Sequence, residues 1–281
     1  MTIYPKRTVD ARTARISYAS FGDKGASPLI MIQGLGMPGT MWHRLGEQLA
    51  EEGFHVIIPD NRGTGASHNL KPMFLMQDLA EDIAAVHDHV FGASPAYVAG
   101  ISLGGMITQR FALDHPERAR GLVLAATTCG LPHNLINGAF VSPDAIGLLL
   151  KLCFTPKSAT IDDMSKLLIH PDSSPRKKEL FGRIREVFTH EPTPPATYAL
   201  QLLAALFHST GSQLHRIQVP VHVITGDSDH LIPSKNSDLL AAKLPNVKHT
   251  VVERAGHAFP LEHPRSFVDE ICALRERAEA P

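Results

Sequence analysis

The sequence predicts an α/β fold with a mostly parallel sheet, interrupted by a long helical insertion. Three observations predict it. Short apolar runs alternate with longer amphipathic runs as far as residue 128. Over residues 130–215 the alternation stops, and apolar helical spacing with proline-marked breaks takes its place. After residue 216 the alternation resumes. Repeated strand-then-helix units give parallel sheets covered on both faces, because each crossover helix packs back onto its strands.

Each element has a local reason. Residues 28–34, PLIMIQG, are an apolar run closed by glycine and read as a strand. Residues 40–53 hold Trp42, Leu45 and Leu49 at helical spacing and stop at Gly53. Residues 54–60, FHVIIPD, are a β-branched strand. Residues 74–91 repeat apolar positions at three and four, through Leu75, Leu79, Ile83, Val86 and Val90. A strand at 96–102, a helix at 103–117 ended near Pro116, and a strand at 121–127 follow. In the insertion, breaks fall at 170–175 and 191–195. Leu203 and Phe207 lie four apart on one predicted helical face there, turned toward either a pocket or the core. The last units are a strand at 219–227, a helix at 237–245, a strand at 247–253 and a helix at 264–277. The expected organisation is a core of residues 1–129 and 216–281, with 130–215 forming a helical cap.

Composition narrows the function classes. The 281 residues are 43% hydrophobic, enough for a large core. Lys and Arg number 27 against 28 Asp and Glu, which argues against a nucleic-acid binder. Cys129, Cys153 and Cys272 form neither a disulfide framework nor a CxxC site, so the cytoplasm is the expected compartment. No apolar stretch approaches bilayer-spanning length, and the first 15 residues lack a signal-peptide core. Sixteen histidines raise a metal hypothesis. No HExxH occurs, and His87 and His89 would point apart on a helix, so no metal is expected.

The chemistry concentrates at Gly100-Ile101-Ser102-Leu103-Gly104. This G-x-S-x-G sits directly after one strand and directly before a helix, where a strained turn would lift the serine hydroxyl out of the sheet. A serine N-cap packed by glycines would give the same letters. A serine needs a base. His257, in Ala255-Gly256-His257, follows the last strand by a short turn. His222 lies inside a strand, His249 opens the last strand, and His263 starts the last helix. An orienting carboxylate is expected after the preceding strand, where Asp227 and Asp229 both stand. The loop Gln33-Gly34-Leu35-Gly36 lets the backbone approach the serine. The N–H groups of Leu35 and Leu103 are the candidate oxyanion donors. Neither G-x-x-x-x-G-K-[ST] nor a complete G-x-G-x-x-G is present, so no nucleotide cofactor is expected. Asp60 and Arg62, in residues 59–67, read as structural groups pinning a loop beneath the site.

With these segments in order, the chain resembles the α/β-hydrolase superfamily over nearly its full length. The matching segments are residues 33–42, 59–67, 100–105, 226–233 and 255–257. Residues 115–130 and the insertion are similar to bacterial esterases of the aclacinomycin methylesterase type and to intracellular polyhydroxyalkanoate depolymerases. The resemblance implies the α/β-hydrolase fold, with the cap inserted between strands 6 and 7. It favours Asp229 over Asp227, since Gly226-Asp227-Ser228-Asp229 resembles the family's G-x-x-D turn. Asp227 is then a turn residue bonded to its own backbone. Most relatives begin the oxyanion loop with His-Gly, whereas this chain has Gln33-Gly34, whose amide would hold the loop by hydrogen bonds.

The implied activity is carboxylic ester hydrolysis through an acyl-enzyme, with Ser102, His257 and Asp229 as the triad and no cofactor. The expected partner is a small apolar ester, and a homodimer is one allowed assembly. A polyester depolymerase or lactonase would use the same triad, as would a cofactor-free perhydrolase or haloperoxidase. A non-catalytic ligand receptor on this fold is a fourth reading.

Overall fold

The computed structural model describes residues 4–138, 141–155, 161–171 and 174–280. Its strands are β1 (Arg7–Ala11), β2 (Ala14–Phe21), β3 (Ser27–Ile32), β4 (Phe54–Pro59), β5 (His68–Asn69), β6 (Ala96–Ile101), β7 (Ala119–Ala125), β8 (Val221–Gly226) and β9 (Val247–Val252). The core helices are α1 (His43–Glu51), α2 (Met76–Phe91) and α3 (Leu103–Asp114). Between β7 and β8 come α4 (His133–Ile136), α5 (Pro143–Phe154), α6 (Ile161–Leu168), α7 (Ser174–His190) and α8 (Pro195–Leu206). The chain ends with α9 (Lys235–Ala241), α10 (Phe259–Glu262) and α11 (Pro264–Glu279).

The nine strands form one sheet in the order β1-β2-β4-β3-β6-β7-β8-β9, with β5 paired to β2. From β4 to β9 every neighbouring pair is parallel. The strands β3, β4, β6, β7 and β8 carry near-continuous apolar runs because both faces are covered. One core packs α2 and α3 on one face, through Leu79, Ile83, Ile107 and Phe111. The other packs α1 and α11, through Leu45, Leu49, Phe267 and Ile271. Burying each such side chain stabilises the fold by about 1.5–3 kcal/mol.

The α/β-hydrolase architecture expected from the resemblance is therefore present, with two differences of detail. The N-terminal hairpin β1–β2 is antiparallel and was not foreseen. β1 is an edge strand with mostly exposed side chains, so it carries no apolar run to read. Counted along this chain, the helical insertion falls between β7 and β8, because the two-residue β5 adds one strand before it. The proline break at 191–195 separates α7 from α8. That at 170–175 lies between α6 and α7, and its residues 172 and 173 fall outside the described ones.

The topology positions the site. The chain runs from β3 outward to β4, then crosses to β6 on the other side of β3. At such a switch point the loops leaving two neighbouring strands part and open a crevice. Ile32 of β3 lies opposite Gly100 of β6, so the loops that follow both strands emerge side by side.

Candidate active site

Ser102 follows β6 and precedes α3, with φ 56° and ψ −118°. A left-handed φ is uncommon for a residue other than glycine, and it persists only where the surroundings impose it. Here the backbone is held on all sides. Ser102 N donates to Ala125 O at 2.9 Å, and Ser102 O accepts from Gly105 N, Met106 N and Thr127 Oγ1. The hydroxyl makes no capping bond to α3, which removes the N-cap explanation of the motif.

The flanking glycines are required by contact. A Cβ on Gly100 would lie 2.2 Å from Gly104 O, and one on Gly104 would lie 2.2 Å from Ile32 O. Gly105 sits against Thr127, where a Cβ would approach that side chain to 2.6 Å. Sheet and helix meet here with no room for a side chain.

His257 lies in the turn between β9 and α10. Its Nδ1 is 2.8 Å from Asp229 Oδ2, and both side chains are buried. Asp229 Oδ1 accepts the N–H groups of Leu231 and Ile232 at 2.9 and 2.8 Å. Three contacts therefore fix a carboxylate that sits in the turn after β8. Asp227 does something else: it accepts Arg254 N at 2.9 Å and Ala255 N at 3.2 Å, tying its own turn to the one before His257. Partial burial pushes its pKa up, yet these N–H bonds hold it below the ordinary aspartate value. It thus bonds across to the neighbouring loop as well as forming a turn, a link that local sequence does not reveal.

Ser102 and His257 border one cavity. Among the described residues no hydrogen bond joins Ser102 Oγ to the imidazole. Such contacts often tighten only when substrate is bound. The N–H groups of Leu35 and Leu103 donate to no described residue, and Leu103 is the first residue of α3. Gly34 brings the loop after β3 close, since a Cβ there would be 3.5 Å from Ser102 Cβ.

The loop is held differently from expectation. Gln33 is buried, but its Nε2 has no hydrogen-bond partner among the described residues. Its main chain is held instead, with Asn61 Nδ2 donating to Gln33 O at 3.0 Å. α8 supplies further support: Gly36 N donates to Gln201 Oε1 at 2.7 Å, and Tyr198 Oη donates to Gly36 O. Thr193 Oγ1 donates to the same carbonyl at 3.0 Å. Gln201 was not foreseen, because the sequence shows one amide on a largely apolar helix but neither its burial nor its distant partner. Asp60 and Arg62 brace the floor. Asp60 accepts Gly39 N and Ala66 N, and Arg62 forks onto Asp82 at 2.7 Å through both Nε and Nη2.

The cavity has room for about 80 Å³. Its core wall is Leu35, Met37, Met41, Trp42 and Ile101, and its insertion wall is Leu148, Leu149, Leu152, Met164 and Leu168. No charged side chain borders it among the described residues. Leu203 and Phe207 are absent from its lining, and Phe207 is 71% exposed as the residue capping α8. The face they share turns toward neither the cavity nor the deep core.

A family model described as the alpha/beta hydrolase fold matches residues 27–264. The chain belongs to the α/β-hydrolase family. Its similarity to curated members spans hydrolases of different substrates. It is 29% identical over 240 residues to a poly(3-hydroxyalkanoate) depolymerase of Ectopseudomonas oleovorans, covering 85% of this chain and 80% of that protein. It is 27% identical over 304 residues to the rhodomycin D methylesterase DauP of a Streptomyces species, covering 96% and 97%. Among solved structures, a thermophilic esterase from Thermogutta terrifontis superposes with a TM-score of 0.83 at 22% identity, over 98% of this chain and all of the other. That last likeness concerns the fold alone. Within this α/β-hydrolase family the relatives support an esterase-type hydrolase, as the sequence implied. Among the described residues no helix is long and apolar enough to cross a membrane.

Proposed function

We propose that the chain hydrolyses a neutral carboxylic ester through an acyl-enzyme on Ser102. The observation that carries this reading is the convergence on one apolar cavity of a strained serine and a histidine bonded at 2.8 Å to a buried aspartate. Burial, the Leu231 and Ile232 N–H bonds, and the imidazole suit Asp229 to the orienting role. With Nδ1–H donating to Asp229, Nε2 is left as the lone-pair nitrogen available to take the serine proton.

The steps follow. Ser102 Oγ attacks the ester carbonyl while His257 Nε2 takes its proton. The carbonyl oxygen becomes an oxyanion, and the N–H groups of Leu35 and Leu103 stabilise it. The imidazolium returns the proton to the departing alkoxide, leaving the acyl group on Ser102. A water, deprotonated by His257, then attacks the acyl carbonyl. Collapse of the second oxyanion breaks the bond to Ser102 Oγ, which takes the proton back from the imidazolium as the acid leaves. Protein groups and water carry every step.

The cavity limits the substrate. Its walls are apolar and uncharged, so a charged group at the reacting end would lose its hydration without a partner. Room for about 80 Å³ corresponds to about five to eight water-sized atoms, which suits a short apolar group beside the carbonyl. We assign residues 130–215 to a cap over a core of 1–129 and 216–281, so that cap side chains set the length of group accepted.

A panel of p-nitrophenyl esters from acetyl to decanoyl, with Ser102→Ala as control, tests the proposal. Saturable turnover favouring the short chains and abolished in Ser102→Ala is expected. Equal turnover by Ser102→Ala would contradict it.

A further inference from the structure

Three contacts gather around the backbone of His257. Gly256 N donates to Glu262 Oε2 at 2.8 Å, and Ala258 N donates to Leu168 O at 2.7 Å. The other oxygen of Glu262, Oε1, accepts His170 N at 2.9 Å. The two residues flanking His257 are therefore held by one buried carboxylate and by the carbonyl that ends α6. That carboxylate also holds the backbone two residues beyond the same helix. Glu262 itself is 5% exposed. A carboxylate is costly to bury unless hydrogen bonds replace its water, and here two backbone N–H groups do so. The packing is close: a Cβ on Gly256 would lie 2.7 Å from Leu168 O and 2.9 Å from His170 N.

We propose that Glu262 is a positioning residue that fixes His257 and couples its placement to the 168–170 segment of the cap. The proposal rests on the reading of His257 as the base. Leu168 also lines the cavity, so the segment that touches a bound group is the segment that holds the His257 turn. A shift there moves the imidazole relative to Ser102. Misplacement of a base by about 1 Å costs on the order of 10² in rate. Glu262 touches neither substrate nor reacting atoms, so its effect falls on turnover and not on binding.

The test compares Glu262→Ala, Glu262→Gln and Gly256→Ala with the wild type, and with His257→Ala as reference. Steady-state kinetics on p-nitrophenyl acetate, normalised to folded protein by circular dichroism, give kcat and KM separately. Glu262→Ala is expected to lower kcat by about 10²-fold with KM changed less than about threefold. Glu262→Gln keeps one acceptor and is expected to recover part of the loss. Gly256→Ala, which leaves the carboxylate intact but forces the cap segment away, is expected to reproduce the kcat-selective defect. Wild-type kcat in folded Glu262→Gln and Gly256→Ala would overturn the proposal. A loss that only tracks the folded fraction, or one confined to KM, would also overturn it. If Glu262→Ala does not fold, the other two variants decide by the same criteria. Full activity in His257→Ala would instead remove the base reading, a result distinct from silence at Glu262 beside an inactive His257→Ala.

Discussion

Asp229 Oδ2 lies 2.8 Å from His257 Nδ1, whereas Asp227, two residues earlier, accepts the backbone N–H groups of Arg254 and Ala255. Two carboxylates in one turn are thus given different work. Asp229→Asn should preserve the fold and lower kcat by about 10⁴, because the imidazole then favours the wrong tautomer. Asp227→Asn should leave kcat within a few-fold and lower thermal stability, since it loosens the link between two turns. Kinetics and melting on both variants check this, and reversed effects would exchange the roles of the two residues.

Gly104→Ala should destabilise the protein by about 1–3 kcal/mol, in the range of overpacked cores. The added Cβ would meet the Ile32 carbonyl at 2.2 Å, and backbone cannot step aside as a flexible side chain can. Because that carbonyl precedes the oxyanion loop, activity should fall further than the folded fraction does. Urea unfolding beside kcat measures both.

Leu152→Ala should extend the range of acyl chains accepted, since Leu152 is 3% exposed and forms part of the cavity wall. Truncating it also costs about 2–5 kcal/mol of stability if the space stays empty. Phe207→Ala should leave both the chain-length profile and the stability nearly unchanged, because that ring is 71% exposed. Comparing kcat/KM across short and long esters distinguishes the two variants.

Two buried histidines should each cost stability as pH drops from about 6.5 toward 4, against Asp82, which burial lifts to about 6 and which acts the other way. Burial lowers His43 from 6.5 to about 4, with the Lys6 charge adding to it. Burial likewise lowers His208 to about 3, with Arg110 contributing. Between these values and 6.5 the unfolded chain binds protons that the folded chain does not, so acid favours unfolding. His43 stacks edge-on to Tyr4, and among the described residues neither ring nitrogen has a hydrogen-bond partner. His43→Phe should therefore keep the ring packing and reduce the pH slope by about one proton. Urea midpoints at pH 7.5, 6 and 4.5 read the slope. An identical slope in the variant would assign it to other groups.

The parts legible in the sequence are those whose causes are local. β6 and α3 were readable because a six-residue apolar run, a glycine-flanked serine and a helical pattern follow one another directly. Ser102, Asp229 and His257 each follow the end of a strand within a few residues, so the order of strands pointed to them as candidates. β1 was hidden because an exposed edge strand needs no apolar run. Gln201 and Glu262 were hidden because each has a partner far away in the chain: Gln201 reaches Gly36 across 165 positions, and Glu262 reaches His170 across 92. Leu203 and Phe207 show the converse. Helical spacing placed them on one face but could not say that Phe207 ends α8 facing outward.

The most direct measurement is covalent labelling by a fluorophosphonate, since an activated serine attacks phosphorus as it attacks an acyl carbon. Intact mass should rise by a single adduct, and peptide mapping should place it on Ser102. His257→Ala should slow the reaction strongly, and Ser102→Ala should abolish it. An adduct on a different serine, or none at reagent concentrations that label known serine esterases, would contradict the central claim.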